Sequence, residues 1–270
     1  MVVQHNLTAM NSNRMLGITT GQQAKSAEKL SSGYKINRAG DDAAGLSISE
    51  KMRSQIRGLN KASKNAQDGV SLIQTAEGAL NEAHSILQRM NELATQAAND
   101  TNTSADREAL QNEINALTSE IDRIASTTQF NTQNLLNGSF ASKNLQVGAL
   151  SGQKITITIG TMDAAALSIE NLDISSFGKA GSAMTQIQAA ISKVSQQRSA
   201  LGAIQNRLEH TVANLDNISE NTQAAESRIR DTDMAAEMVE YSKNNILAQA
   251  GQSMLAQANQ ATQGVLALLQ

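Results

Sequence analysis

The chain has 270 residues, a formal net charge of −3, three Phe and two Tyr, and no Cys, Trp or Pro. Without cysteine there is neither a disulfide nor thiolate chemistry, and without a basic cluster interleaved with aromatics there is neither a nucleic-acid groove nor an anionic-membrane footprint. So few large rings favour long helices with small contacts over a sheet sandwich, and an elongated shape.

The opening MVVQHNLTAMNSNRM lacks a basic segment followed by an apolar run, so no cleaved secretory signal is expected. No window approaches the roughly 18 continuous apolar residues of a membrane span. Val3, Leu7 and Met10, then Ala24, Ala27 and Leu30, form a weak helical stripe in this first segment.

The stretch LSSGYKINRAGDDAAGLSISEKM, residues 30 to 52, carries small residues and a paired acid but no reactive group. Asp41 and Asp42 are adjacent and have no glycine-rich phosphate loop or metal partner nearby, so capping of the next helix fits them better than paired catalytic carboxylates. Gly40 and Gly45 suit a tight path there. The stretch leads into a long helix.

That helix carries Ile56, Leu59, Ala62, Ala66, Val70, Ile73, Leu80, Ala83, Leu87, Met90 and Ala94 at steps of mostly three and four. Gly58, Gly69 and Gly78 each cost it about 1 kcal/mol relative to Ala, so close backbone packing is expected at them. The run 99–104 ends the helix, and Thr103 with Asp106 forms a capping box for the next. Leu110, Ile114, Leu117, Ile121 and Ile124 give that helix its stripe, and a short polar turn makes the two an antiparallel hairpin.

Between about 130 and 178 the period changes. QFNTQNLLNGSF holds an Asn-Gly turn, and KITITIG, residues 154 to 160, alternates as a strand does. Helical period returns with Met184, Ile187, Ile191, Val194, Leu201, Leu208, Val212, Leu215 and Ile218, expected to pack along the hairpin.

The last segment places Leu247, Gly251, Met254, Ala258, Ala261, Val265 and Leu268 at four-three spacing, a coiled-coil seam of mostly small residues. Each layer with Ala in place of Leu forfeits several methylenes at about 0.8 kcal/mol apiece, so a pair of terminal helices is marginal alone and gains stability from copies of itself. His5, His84 and His210 are scattered, with no His-Glu-x-x-His spacing, and read as packing or surface residues. Met234 and Met238 read as packing fillers. No metal, cofactor or catalytic residue is expected.

The segment LSSGYKINRAGDDAAGLSISEKMRSQIRGLNKASKNAQDGVSLIQTAEGAL and the C-terminal AAEMVEYSKNNILAQAGQSMLAQANQ with VLALLQ resemble the N- and C-terminal signatures of bacterial flagellins. The resemblance spans roughly residues 1 to 140 and 180 to 270. It implies a mainly α chain with an antiparallel helical hairpin, a long C-terminal helix, a terminal coiled-coil pair and a small β-rich insert. Residues 1–44 with 226–270 would form the inner-tube coiled coil, 45–141 and 179–225 the outer-tube rod, and 142–178 the insert, with no large outer domain.

The implied function is a subunit that self-assembles into the extracellular flagellar filament. It implies export in the unfolded state by the flagellar type III apparatus, an export chaperone and a cap protein as partners, and no enzyme activity. The seam would run through Leu7, Met10, Leu247, Met254, Ala258, Ala261, Val265 and Leu268. Thr262 departs from the proline of many family members and leaves the last helix free to continue. QRMNELA resembles the segment by which flagellins bind Toll-like receptor 5 of a host, with Gln88, Arg89 and Leu93 on one helix and Glu113 on the next; Asn91 and Thr95 depart from the family's usual arginine and valine. The bland reading is that Leu93 packs in a second stripe with Ile86, Met90 and Ala97, and that Arg89 and Glu113 form a surface pair. A hook–filament junction protein is the alternative, because those proteins share the terminal coiled-coil logic.

Overall fold

The computed structural model describes residues 6 to 267, with side chains described through Gln260. In chain order the elements are α1 (Leu7–Ser32), α2 (Ala43–Ala97), α3 (Ser104–Thr127), β1 (Gln129–Phe130), β2 (Gln133–Asn134), β3 (Lys143–Gln146), β4 (Lys154–Ile157), α4 (Ala164–Leu167), α5 (Phe177–Arg230) and α6 (Met234–Ala267). The fold is mainly α, as expected, with two small two-stranded sheets. Two compact units form, Met1–Ser54 with Asn221–Gln270 and Gln55–Glu220, and α2 and α5 contribute to both.

The unit of residues 55–220 owes its order to a seven-residue spacing. From Leu59 to Ala97 along α2, each position at alternating steps of three and four is buried, Gly69 and Ala76 included. On α5, Ala180, Ile187, Val194, Leu201, Leu208 and Leu215 are buried at steps of seven. Such a repeat keeps one seam of each helix facing its neighbour. The two helices run antiparallel, with Ser63 Oγ donating to Asp216 Oδ1 (2.9 Å), Ser219 Oγ donating to Asn60 Oδ1 (2.7 Å), and Arg198 3.6 Å from Glu77.

The sequence stripe overlooked Gly69 and Ala76, while its Ile56 and Val70 are only half-buried. On α3, Thr118 and Ala125 are buried, whereas Leu110, Leu117 and Ile124 pack at the margin. The expected capping box is present: Asp106 N–H donates to Thr103 Oγ1 (3.3 Å) and Thr103 N–H to Asp106 Oδ2 (2.9 Å). Arg107 closes the α2–α3 turn by donating to the Ala97 carbonyl (3.1 Å).

In the insert, the tight turn between β1 and β2 falls on Asn131 (φ 47°) and Thr132 (φ 63°), both left-handed as a type I′ hairpin turn requires. Asn137-Gly138 turns the chain further on, with Gly138 at φ 82°. Ile155, Ile157 and Ile159 are buried in strand alternation, and β4 pairs antiparallel with β3 in the register Leu145↔Ile155. The one-turn α4, capped by Asp163, has no counterpart in the sequence reading, because four residues are too few to show a helical period.

Two of the four α2 glycines, Gly58 and Gly69, accept this insert. A Cβ on Gly58 would lie 2.9 Å from Ala149 Cβ and 3.2 Å from its Cα, and one on Gly69 would lie 2.5 Å from Leu145 Cδ2. Asn65 Nδ2 donates to the Gln146 carbonyl beside them (3.1 Å). Gly78 meets nothing within 4 Å.

In the other unit, α1 and α6 pair antiparallel: Asn6 Nδ2 donates to the Ala258 carbonyl (2.9 Å), and Lys29 Nζ lies 3.5 Å from Glu237 Oε2. Gly33 ends α1 in the left-handed conformation (φ 76°), with its N–H on the Lys29 carbonyl (2.8 Å). The chain then forms a bridge, Tyr34 to Asp231, in which Lys35 N–H donates to the Arg230 carbonyl (2.7 Å) and Thr232 N–H to the Gly33 carbonyl (3.0 Å). The Arg230 guanidinium sits 4.6 Å over the Tyr34 ring.

The paired acids divide the work. Asp42 Oδ1 accepts from Gly45 N–H (2.9 Å) at the start of α2, whereas Asp41 accepts from the Arg38 and Asn37 N–H groups (3.0 and 3.2 Å), which hold its carboxyl below the usual range. Left-handed backbone falls on Gly33, and neither Gly40 nor Gly45 has a positive φ. Gly45 instead leaves room for Ile36, whose Cδ1 would lie 2.8 Å from an added Cβ.

These environments separate the glycines in a denaturant experiment. Gly78→Ala should stabilise by about 0.5–1 kcal/mol, the ordinary helix-propensity gain. Gly58→Ala should destabilise by about 1–3 kcal/mol, since the atoms it meets include backbone that cannot rotate away.

Candidate self-association surface

The α1–α6 pair has an inverted hydrophobic pattern. The shielded positions follow alternating steps of three and four: Ala9, Ser12, Leu16, Thr19, Gln23, Ser26 and Leu30 on α1, and Glu237, Tyr241, Asn244, Ala248, Gly251, Leu255 and Ala258 on α6. Most are small or polar, and the two buried ones, Ser26 and Asn244, are polar. Leu16 Cδ1 lies 3.4 Å from where a Cβ on Gly251 would stand, so the helices approach closely at that point.

Most of the larger apolar side chains face out. Leu7, Met10, Met15 and Ile18 on α1, with Met234, Met238, Val239, Ile246, Leu247 and Met254 on α6, are all exposed, Leu7 and Val239 at 68%. They are ten of the fourteen exposed large hydrophobics among the described residues. Fully burying such a side chain contributes about 1.5–3 kcal/mol, so this unit leaves most of its hydrophobic free energy unrealised. Large hydrophobics exposed in such number on one helix pair mark an interaction site.

The expected seam is therefore corrected within the chain. Gly251 and Ala258 lie on the side shielded by α1, but Leu247 and Met254 do not, because the stripe diverges to Ala248 and Leu255 at those layers. Leu7 and Met10 are likewise exposed, as are Ala24 and Ala27. Ala261 and Val265 belong to α6 but their side chains lie outside the described residues, and so do Leu268, Val3 and His5 altogether. Helix α6 passes through Thr262 to Ala267, as the missing proline allows.

A second surface lies on α2 and α3. Arg89 donates to Glu113 Oε1 through Nε and Nη2 (3.0 and 2.9 Å) and to Glu92 Oε2 through Nη1 (3.2 Å). Glu113 first, then Glu92, raise the guanidinium pKa above its ordinary value. Gln88 is exposed and shares a 3.0 Å hydrogen bond with His84. Leu93 departs from the expectation of a surface contact: it is 1% exposed and belongs to the core with Met90 and Ala97, because the 86-90-93-97 stripe of α2 is turned inward.

Among the described residues no three His, Asp or Glu side chains could hold a metal, and no helix is long and apolar enough to cross a membrane.

Two family models match the chain, the bacterial flagellin N-terminal helical region over residues 3–141 and the C-terminal helical region over 184–269. Flagellin of Halalkalibacterium halodurans is 59% identical over the whole of both chains, and a flagellar filament core protein of Treponema maltophilum is 52% identical, again over both whole chains. The crystal structure of Bacillus cereus flagellin superposes with a TM-score of 0.52 at 32% identity, covering 56% of this chain and 88% of that one. A flagellar hook-associated protein structure from Vibrio parahaemolyticus covers 71% of this chain with a TM-score of 0.60 at 13% identity, a likeness of fold alone.

The inverted pattern separates two kinds of substitution. Leu247→Glu with Met254→Glu should shift the unfolding free energy of the isolated chain by less than about 0.5 kcal/mol, as surface changes do, and should abolish self-association in sedimentation. Ala248→Glu should instead lower the helicity of the isolated chain by circular dichroism. Equal losses of helicity from both would place Leu247 and Met254 in the intramolecular seam.

Proposed function

Because the chain belongs to the bacterial flagellin family, the structural subunits of the extracellular flagellar filament, we propose that its terminal helices drive polymerisation through the apolar face they leave exposed. The observation that carries this reading is the inverted α1–α6 pair, whose shielded layers are mostly small or polar while Leu7, Met10, Leu247 and Met254 face outward. A surface that complements a different surface on the next copy gives a heterologous, non-closing contact and hence a helical filament. By sequence spacing Ala261, Val265 and Leu268 continue the Leu247–Met254 stripe along the C-terminal segment, whereas Ala258 lies on the side shielded by α1.

In this reading residues 1–44 and 226–270 line the inner tube, 45–141 and 179–225 form the outer tube, and 142–178 is the surface insert. Export proceeds unfolded through the flagellar type III apparatus, with an export chaperone before and a cap protein after. A chain with no cysteine supports that route, since it has no disulfide to lock it against unfolding. The junction-protein alternative rests on shared fold only.

The Arg89, Gln88 and Glu113 surface is a ligand patch for Toll-like receptor 5. Arg89 is exposed and held by two carboxylates in a fixed orientation, so part of the ordering cost is met before binding. Leu93 contributes by packing α2 beneath the patch.

Removing residues 247–270 should abolish seeded filament growth while the unit of residues 55–220 keeps its helicity by circular dichroism; normal filaments from that chain would remove the terminal face from the mechanism. Arg89→Ala should weaken receptor binding by about tenfold, the size of a typical hot spot, and unchanged affinity by titration would take the patch out of the interface.

A further inference from the structure

Sulfur in this chain is confined to ten methionines, since cysteine is absent. The described ones divide sharply by place. Met10, Met15, Met234, Met238 and Met254, all on α1 or α6, are 50–65% exposed. Met52 is half-buried, and in the unit of residues 55–220 Met90 and Met162 are buried while Met184 packs against the core. The exposed sulfurs therefore coincide with the apolar face of the terminal helices. Met254 stands seven residues beyond Leu247 on one stripe, Met10 three beyond Leu7, and Met238 borders a shallow apolar hollow with Val239, Ile246, Ser242 and Lys243.

We propose that these five methionines are modification sites at which peroxide oxidation decides whether a subunit can join the polymer. The inference rests on the reading that the α1–α6 face is buried between copies. Hydrogen peroxide transfers one oxygen to the thioether: the S–O bond forms, the peroxide O–O bond breaks, sulfur loses two electrons, and the other oxygen leaves as water. The product is a polar, chiral acceptor where an adaptable apolar side chain stood, and it brings no donor to satisfy it. Burying it unpartnered opposes assembly. Free subunits expose all five sulfurs and are open to the reagent. Subunits within a filament have them covered, so oxidation discriminates against incoming chains and spares standing polymer. Methionine sulfoxide reductases A and B, one for each sulfoxide epimer, return the chain to competence with a dithiol as reductant: the S–O bond breaks, the oxygen leaves as water and the dithiol is oxidised to a disulfide.

The test treats monomer and preformed filaments with dilute hydrogen peroxide, maps sulfoxides by peptide mass spectrometry over time, and measures seeded growth by sedimentation. In monomer the five terminal sulfurs should oxidise before Met90 and Met162; in filaments the same five should be protected. Oxidised monomer should need about tenfold more protein for growth, the effect of burying one or two unpaired polar groups. A variant with all five changed to Leu should keep growing after peroxide, and reductase treatment of oxidised wild-type chain should restore growth even if that variant fails to fold. Oxidised monomer that grows like reduced monomer, or interior methionines that oxidise first, would overturn the proposal alone. Reduced protein that will not grow from seeds would overturn the assembly reading, and this inference with it.

Discussion

Everything in this molecule follows from where a seven-residue repeat puts its large side chains. In the unit of residues 55–220 the repeat turns Ile73, Leu80 and Leu87 of α2 and Ile187, Val194 and Leu201 of α5 inward, so that burial and helix register reinforce each other. In the terminal unit the same period selects Ser12, Thr19, Gln23, Asn244 and Ala248 for the shielded side. The first unit completes its core within one chain. The second meets its geometric requirement and leaves the hydrophobic one unmet.

Buried Ser26 and Asn244 fit that division. A polar residue in a coiled-coil seam weakens the pair but restricts its register, and small neighbours such as Gly251 let the backbones come close. The terminal pair is thus specified without being strongly stabilised, which suits a segment whose full burial depends on neighbours. The clasp of Gly33, Tyr34, Arg230 and Thr232 fixes where that pair begins, through backbone hydrogen bonds and a cation–π contact that need no hydrophobic core.

Much of this was legible from residue spacing. The stripes of α2 and α5, the Thr103–Asp106 cap and the Ile155-Ile157-Ile159 alternation are local signals, written in side chains that differ sharply in polarity from their neighbours. Gly69 lies outside the apolar stripe because glycine has no hydrophobic signature; its helix cost signals close packing, but the partner, Leu145, is distant in sequence. The choice between Leu247 and Ala248, or Met254 and Leu255, depends on which of two adjacent stripes α1 covers, and apolar counting favours the wrong one when the larger residue faces out. For Leu93 the spacing offered both a receptor contact and a packing stripe with Ile86, Met90 and Ala97, and its burial in the core selects the stripe. The hairpin turn at Asn131-Thr132 was hidden by the stronger Asn-Gly signal a few residues later.

The hydrogen bond from Asn6 to Ala258 joins residues 252 apart in the chain, whereas α2 and α3 meet across a turn of a few residues. Contacts of such different sequence separation form at different times, because closing a long loop must precede any reward from the contact. The α2–α3 hairpin is the natural early structure and the α1–α6 pair the last. With its weak seam, that pair is also the first to open, and its backbone amides should exchange with solvent far faster than those of α2. The two ends of the chain therefore behave as a kinetic latch, closed late and loosely in the single molecule.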